Sequence, residues 1–248
     1  MELKRKKNLP VHTTKFISVA SKDTPFAYVE AYKSLRTNID FMTNVSNVHC
    51  ILITSAVPAE SKSTTALNLS ITLADGGHRV ALVECDLRKP VLRKYLKREL
   101  APSGLAAFLA GLVGLDDCIT DLPDLGLSVI AAGVVPPNPS ELLNTPRMEE
   151  LVTMLRRNYD YVILDAPPVT MVTDAAIVGR LADGALLVVR SKFASSRIIR
   201  QAKSKLENVG IRILGGVLTR FDIRKSGWRG GYDYNSYEYG YGHANGKR

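Results

Sequence analysis

Cysteine is scarce: three in 248 residues, Cys50, Cys85 and Cys118, with neither a disulfide framework nor a metal-binding spacing. That excludes a stapled secreted domain and a zinc module, and it fits a reducing compartment. No uninterrupted apolar run approaches the ~20 residues a membrane-crossing helix needs. The basic opening MELKRKKN is followed by no apolar signal core, so neither a span nor a signal peptide is expected. Acidic residues are in the minority, 24 against 33 Lys and Arg, leaving a net charge of +9. The excess collects in residues 4–7, 88–98 and 190–205 and favours an anionic partner. No nucleic-acid module accompanies it, so a nucleic-acid partner is not expected. The remainder, 46% hydrophobic and 23% charged, is ordinary globular composition, and the length suits a single α/β domain.

Glycine is missing where it would be most expected. Residues 51–65 read ILITSAVPAESKSTT: an apolar run, a stretch of small and turn-forming residues, then an amphipathic segment with Leu67, Ile71 and Ala74 on one stripe. Strand, tight loop and helix in this order build a phosphate-binding loop, whose backbone N–H groups and helix N-terminus attract an anion. The G-x-x-x-x-G-K-[ST] pattern keeps only Lys62-Ser63, with Ala56 and Ser61 in the glycine places. Lys62 can reach the β- and γ-phosphates, and the Ser63 hydroxyl can ligate Mg²⁺.

Ahead of the loop, residues 1–22 read as a flexible basic arm and 25–42 as a helix striped by Tyr28, Tyr32, Leu35, Ile39 and Met42. Glu30, Lys33 and Arg36 recur on another side of it, as a solvated face with a weak ion pair or as a subunit contact. After the loop helix, VALV (80–83) is a second buried strand running into Glu84-Cys85-Asp86. Two residues apart on an extended strand, the two carboxylates are expected on the same side, at a strand end where α/β sheets bind ligands. Acids facing a triphosphate call for a cation, hence Mg²⁺.

Residues 102–115 read as a short helix, 127–131 as a third strand, and a helix is expected from Ser140 to about Arg157. DYVILD (160–165) is a strand tipped by Asp165, which reads as a Walker B acid. Strands at 185–189 and 213–218 flank a helix at 195–208, so the whole is a mainly parallel sheet with helices on both faces, P-loop NTPase-like. From about residue 225 aliphatics vanish, and Tyr232, Tyr234, Tyr237, Tyr239 and Tyr241 crowd into YDYNSYEYGY. That segment, 225–248, cannot bury a core and is expected to be a disordered tail after a domain spanning 23–224.

With these motifs in this order, residues 25–245 resemble the bacterial tyrosine kinases, and more closely the separate cytoplasmic kinase subunit of capsule or exopolysaccharide systems. SAVPAESKSTT takes the place of the family's Walker A, LVECDLRKP of Walker A′, YVILDAPPV of Walker B, EAYKSLRTNI of the oligomerisation helix, and PPNPSELL of the segment opening the helix before Walker B. The resemblance implies that Lys62 and the backbone of Ala59, Glu60, Ser61, Lys62, Ser63 and Thr64 hold the ATP phosphates. It implies that Ser63, Asp86 and Asp165 hold Mg²⁺, directly or through water, and that Lys62, Glu84 and Asp86 are the catalytic set. Glu84 replaces the family's usual aspartate and is the candidate acceptor of the tyrosine proton. Glu30, Lys33 and Arg36 replace a Glu-x-x-Arg-x-x-Arg ring motif, and the five tail tyrosines would be phosphorylated by a neighbouring subunit.

Three departures from the pattern have physical consequences. Ser61 places a side chain where backbone approaches phosphate, which strains the loop if φ is positive there. Glu84 is one methylene longer than aspartate, and Lys33 lacks the bidentate fork of arginine. The expected activity is Mg·ATP-dependent autophosphorylation within a homo-oligomeric ring. The resemblance further implies a transmembrane activator supplying a cytoplasmic segment, a tyrosine phosphatase as counterpart, and a cytoplasmic location at the inner face of the membrane. Two alternatives remain open: a catalytically weak nucleotide-binding scaffold, and a switch ATPase of the partition or cell-division type. The latter usually carries a second lysine where this chain has Val57. Thr219 and Arg220, just after the last strand, are the candidates for base recognition.

Overall fold

A computed structural model describes residues 18–221. The 225–248 tail with its five tyrosines, and all but the end of the basic arm, lie outside the described residues.

The first element is α1 (Phe26–Ser46), longer than the 25–42 stretch its apolar stripe delimits. It is followed by β1 (Cys50–Ser55), α2 (Lys62–Asp75), β2 (Val80–Glu84), α3 (Leu92–Leu96), α4 (Leu105–Leu109), β3 (Ile119–Leu122) and β4 (Leu127–Ile130). Next come α5 (Pro139–Leu143), α6 (Pro146–Asn158), β5 (Tyr161–Asp165), α7 (Asp174–Gly179), β6 (Gly184–Arg190), α8 (Ser196–Glu207) and β7 (Ile213–Thr219).

The seven strands form one sheet in the order β3-β4-β2-β5-β1-β6-β7. All neighbours are parallel except β3, which runs antiparallel to β4. Burial on both faces explains the unbroken apolar runs. Alternate residues of β1 divide between two cores: Cys50 and Leu52 join one with Leu105, Met148, Leu151 and Leu206, while Ile51 and Ile53 join the other with Ile39, Leu67 and Leu92.

Several expectations need correction. The single helix from Ser140 to Arg157 is two, because Pro146 lacks an N–H and Thr145 before it is extended at φ −85°, ψ 154°. The 102–115 helix shrinks to α4. The strand expected third is fourth, since the short antiparallel β3 precedes it. What positions the site is the strand order. β5 lies between β1 and β2, so the tip of β5 falls between the loop after β1 and the acidic end of β2. In register, Asp165 of β5 sits beside Ile53 on one side and Glu84 on the other.

Candidate active site

The loop between β1 and α2 opens with Ala56, whose side chain is buried in the first core. Ala59 and Ser61 both adopt left-handed backbone, φ 66° and 71°, a conformation glycine takes freely and other residues adopt at a cost. Ser61 is the N-cap of α2 yet makes no side-chain cap hydrogen bond. The first-turn N–H groups of Lys62, Ser63 and Thr64 therefore keep their donors for a ligand, with the positive end of the helix dipole behind them.

Lys62 bends back over the strand ends. Its Nζ lies 2.9 Å from Asp86, 3.4 Å from Asp165 Oδ1 and 3.1 Å from the Ser63 hydroxyl. Burial alone would push the lysine toward neutrality, but Asp165 and Asp86 outweigh it and the net shift is upward. Asp165 is fully buried, and burial raises its pKa against the pull of Lys62 and Ser63. Its Oδ2 is buried with no hydrogen-bond partner. A buried carboxylate oxygen without a donor is costly, and a hydrated divalent cation would satisfy it. Two carboxylates and a hydroxyl are hard oxygen donors of the Mg²⁺ type, so the residues present fit that ion.

Glu84 and Asp86 meet different partners, although the alternation carries past β2: Cys85 and Leu87 join the first core with Ala81 and Val83. Asp86 pairs with Lys62, while Glu84 is buried at 1% exposure. Glu84 Oε1 accepts the N–H groups of Val91 (2.5 Å) and Leu92 (2.7 Å), and Oε2 accepts that of Ala132 (3.0 Å). Burial raises its pKa, and the three amides only partly counter that. Its extra methylene reaches α3 and the end of β4 at once.

A second network was not foreseen. Arg88 donates to both oxygens of the buried Asp174 (2.8 and 3.1 Å) and to the Ser140 hydroxyl, which itself donates to Asp174 at 2.7 Å. Arg88 and Ser140 stand in segments the sequence singled out, LVECDLRKP and PPNPSELL, but no spacing pointed to Asp174. The ring-motif residues are used within the chain: Lys33 pairs with Glu30 at 2.7 Å, and Arg36 donates to the Thr72 carbonyl of α2 at 2.9 Å. Thr219 and Arg220 lie at the end of β7, where the Thr219 hydroxyl donates to the carbonyl of Glu60.

Known proteins resemble this chain in sequence and in fold. The AAA domain family model matches residues 51–212. The tyrosine-protein kinase YwqD of Bacillus subtilis is 36% identical over 203 residues, which cover 82% of this chain and 85% of that protein. The putative tyrosine-protein kinase EpsB of Ralstonia nicotianae is 36% identical over 219 residues, covering 88% of this chain but 28% of EpsB. Among solved structures, the kinase domain of the Escherichia coli tyrosine kinase ETK matches with a TM-score of 0.77 at 32% identity, over 92% of this chain and 89% of that one. Among the described residues no helix is long and apolar enough to cross a membrane.

Proposed function

The chain belongs to the bacterial tyrosine kinases, and from that premise we propose that it transfers the γ-phosphoryl group of Mg·ATP to tyrosines of its own C-terminal cluster, Tyr232, Tyr234, Tyr237, Tyr239 and Tyr241, on a neighbouring copy. The observation that carries this reading is the meeting of Lys62, Asp86 and Asp165 at the uncapped start of α2, with one Asp165 oxygen unpartnered. Without nucleotide Lys62 pairs with both acids and offsets part of their charge. An entering triphosphate offers Lys62 a competing anion, and its departure frees Asp86 and Asp165. With Ser63 these would hold Mg²⁺, which when bound supplies neutralisation of the charge developing between the β- and γ-phosphates. Lys62 and the N–H groups of residues 59–64 hold the transferring group in line.

Asp86 stands beside Lys62 and is the acid placed to meet the reacting groups. Glu84 serves the reaction as a positioning residue: it is buried and both its oxygens are held by backbone amides, away from the Lys62–Asp86 pair that meets the reacting groups. A tethered tail needs only a weak intrinsic site, since tethering raises its effective concentration toward millimolar. The resemblance of the motifs favours a role in capsule or exopolysaccharide synthesis, in a ring engaged through Glu30, Lys33 and Arg36. A membrane protein with a cytoplasmic activating segment would recruit it to the inner membrane face, and a tyrosine phosphatase would oppose it. The switch-ATPase alternative is disfavoured by Val57, which brings no second lysine to the loop.

Intact-mass spectrometry before and after Mg·ATP tests the reading, with Lys62→Met as control. The expected result is gain in phosphate steps mapping to residues 232–241 and absent in the variant. ATP binding with no mass gain, even with an activating segment added, would favour the scaffold. Steady phosphate release without tyrosine modification would favour the switch ATPase.

A further inference from the structure

Within the phosphate loop one side chain turns away from the ligand side. Pro58 and Ala59 are exposed, but Glu60 is buried at 1% exposure, and a buried carboxylate persists only if hydrogen-bonded. Glu60 Oε2 accepts the N–H of Val57 at 2.9 Å, closing the loop on itself. Oε1 accepts the N–H of Arg190, the last residue of β6, at 3.2 Å. The Glu60 carbonyl accepts the hydroxyl of Thr219, the last residue of β7, at 3.0 Å. Three segments distant in sequence thus meet on one residue that, among the described residues, shares no hydrogen bond or ion pair with Lys62 or the two acids. The two residues beside it, Ala59 and Ser61, are those held in left-handed backbone without being glycine.

We propose that Glu60 is a positioning residue. It fastens the strained phosphate loop to the tips of β6 and β7, so that loop and strand ends grip a nucleotide as one unit. The inference rests on the reading of this loop as the nucleotide site. It accounts for how the loop keeps its shape without glycine at 59 and 61: the bonds to Glu60 hold a conformation that the flanking residues resist. It also implies that the phosphate end and the base end of the ligand are coupled, because Thr219 belongs to the strand tip where base contacts are expected.

Calorimetric titration of the full chain with Mg·ATP and with inorganic triphosphate tests this. Glu60→Gln keeps the volume but turns an NH₂ group toward one of the two N–H donors. Thr219→Val removes the hydroxyl that reaches the Glu60 carbonyl at 3.0 Å and, more weakly, that of Val189 at 3.5 Å. Glu60→Gln is expected to weaken Mg·ATP about tenfold and inorganic triphosphate by clearly less, at unchanged stoichiometry. Thr219→Val should weaken Mg·ATP by a smaller factor, and adding it to Glu60→Gln should cost less than it does alone, as for two parts of one strut. Glu60→Gln binding both ligands like the wild type, or losing both by the same factor, would overturn the proposal. So would fully multiplicative effects of the two changes. If Glu60→Gln folds poorly, its stoichiometry falls and Thr219→Val decides alone, with an unchanged Mg·ATP affinity as the overturning result. A wild-type chain that binds Mg·ATP yet phosphorylates no tyrosine would overturn the kinase reading and leave the strut standing.

Discussion

Ser61 and Ala59 carry the clearest cost at the residue scale. At φ 71° and 66° each side chain crowds the following carbonyl, at about 1 kcal/mol or more per residue. Glycine at either position removes that crowding and adds some entropy to the unfolded chain, so the gain is partial. Ser61→Gly is expected to stabilise the ligand-free protein by about 0.5–1 kcal/mol. For a domain of this size that raises the calorimetric midpoint by roughly 1–4 °C. A midpoint that stays or falls would mean that the Ser61 side chain stabilises the fold by some other contact. Affinity for Mg·ATP should be kept or improved, since the helix start and its N–H groups do not depend on a cap from Ser61. The glycine gap was legible in the sequence as a departure, but the sign of φ at residue 59 was not, because an Ala-Glu-Ser run contains no marker of left-handed backbone.

For the elements, the placement of the second acidic segment depends on Glu84. Its oxygens tie the end of β2 to the start of α3 and to the residues after β4, and α4 is in turn bonded to Ala131 and Ala132 through the N–H groups of Leu105 and Ala106. Glu84→Gln sets an NH₂ group against one of the three donors, which leaves a buried N–H unpaired. The expected loss is about 2–3 kcal/mol by chemical denaturation. Glu84→Asp, one methylene shorter, should lose less by keeping some of these bonds but not all. A Glu84→Gln protein of wild-type stability would show that the amides find other partners. Six strands, β1, β2, β4, β5, β6 and β7, were legible as apolar runs, the inner ones because burial on both faces keeps them apolar. α3, α7 and β3 were not, at four to six residues each, because segments that short complete no hydrophobic period. Pro146 was in plain view as a helix breaker, and the apolar stripe on either side of it masked the break. The partners of Glu84 were not legible for a related reason: the N–H groups of Val91, Leu92 and Ala132 come from segments whose path no periodicity sets.

Across the whole molecule the carboxylates sort by pole. At the C-terminal ends of the parallel strands, burial raises the pKa of Asp165 and of Glu84. At the opposite ends, Arg79 and its N–H hold Asp160 below the usual range, and Asp183, despite burial, is lowered by Arg156 and the N–H groups of Cys50 and His49. A carboxylate lowered by folding contributes stability above its unfolded pKa, near ~3.9, which is lost as pH falls through the folded value. A raised one is a cost above its folded pKa that protonation relieves. On acidification the site pole therefore relaxes before the opposite pole fails, and the ligand-free chain should be most stable on the acid side of neutrality. Asp183→Asn should lower neutral stability by about 2–3 kcal/mol, since it breaks a partly buried pair with Arg156, and should flatten the acid limb of the denaturation midpoint plotted against pH. Asp165→Asn should act oppositely at pH 7: it removes a buried charge the fold resists and stabilises the ligand-free chain. It should also abolish the gain from Mg·ATP, about 2.7 kcal/mol at a hundredfold excess over Kd in the wild type. Denaturation midpoints of both variants, with and without Mg·ATP, check the pair. An Asp165→Asn chain less stable than the wild type at pH 7 would mean that the Lys62 pairing outweighs the burial of Asp165, so that this acid stabilises the apo fold as well as holding the cation.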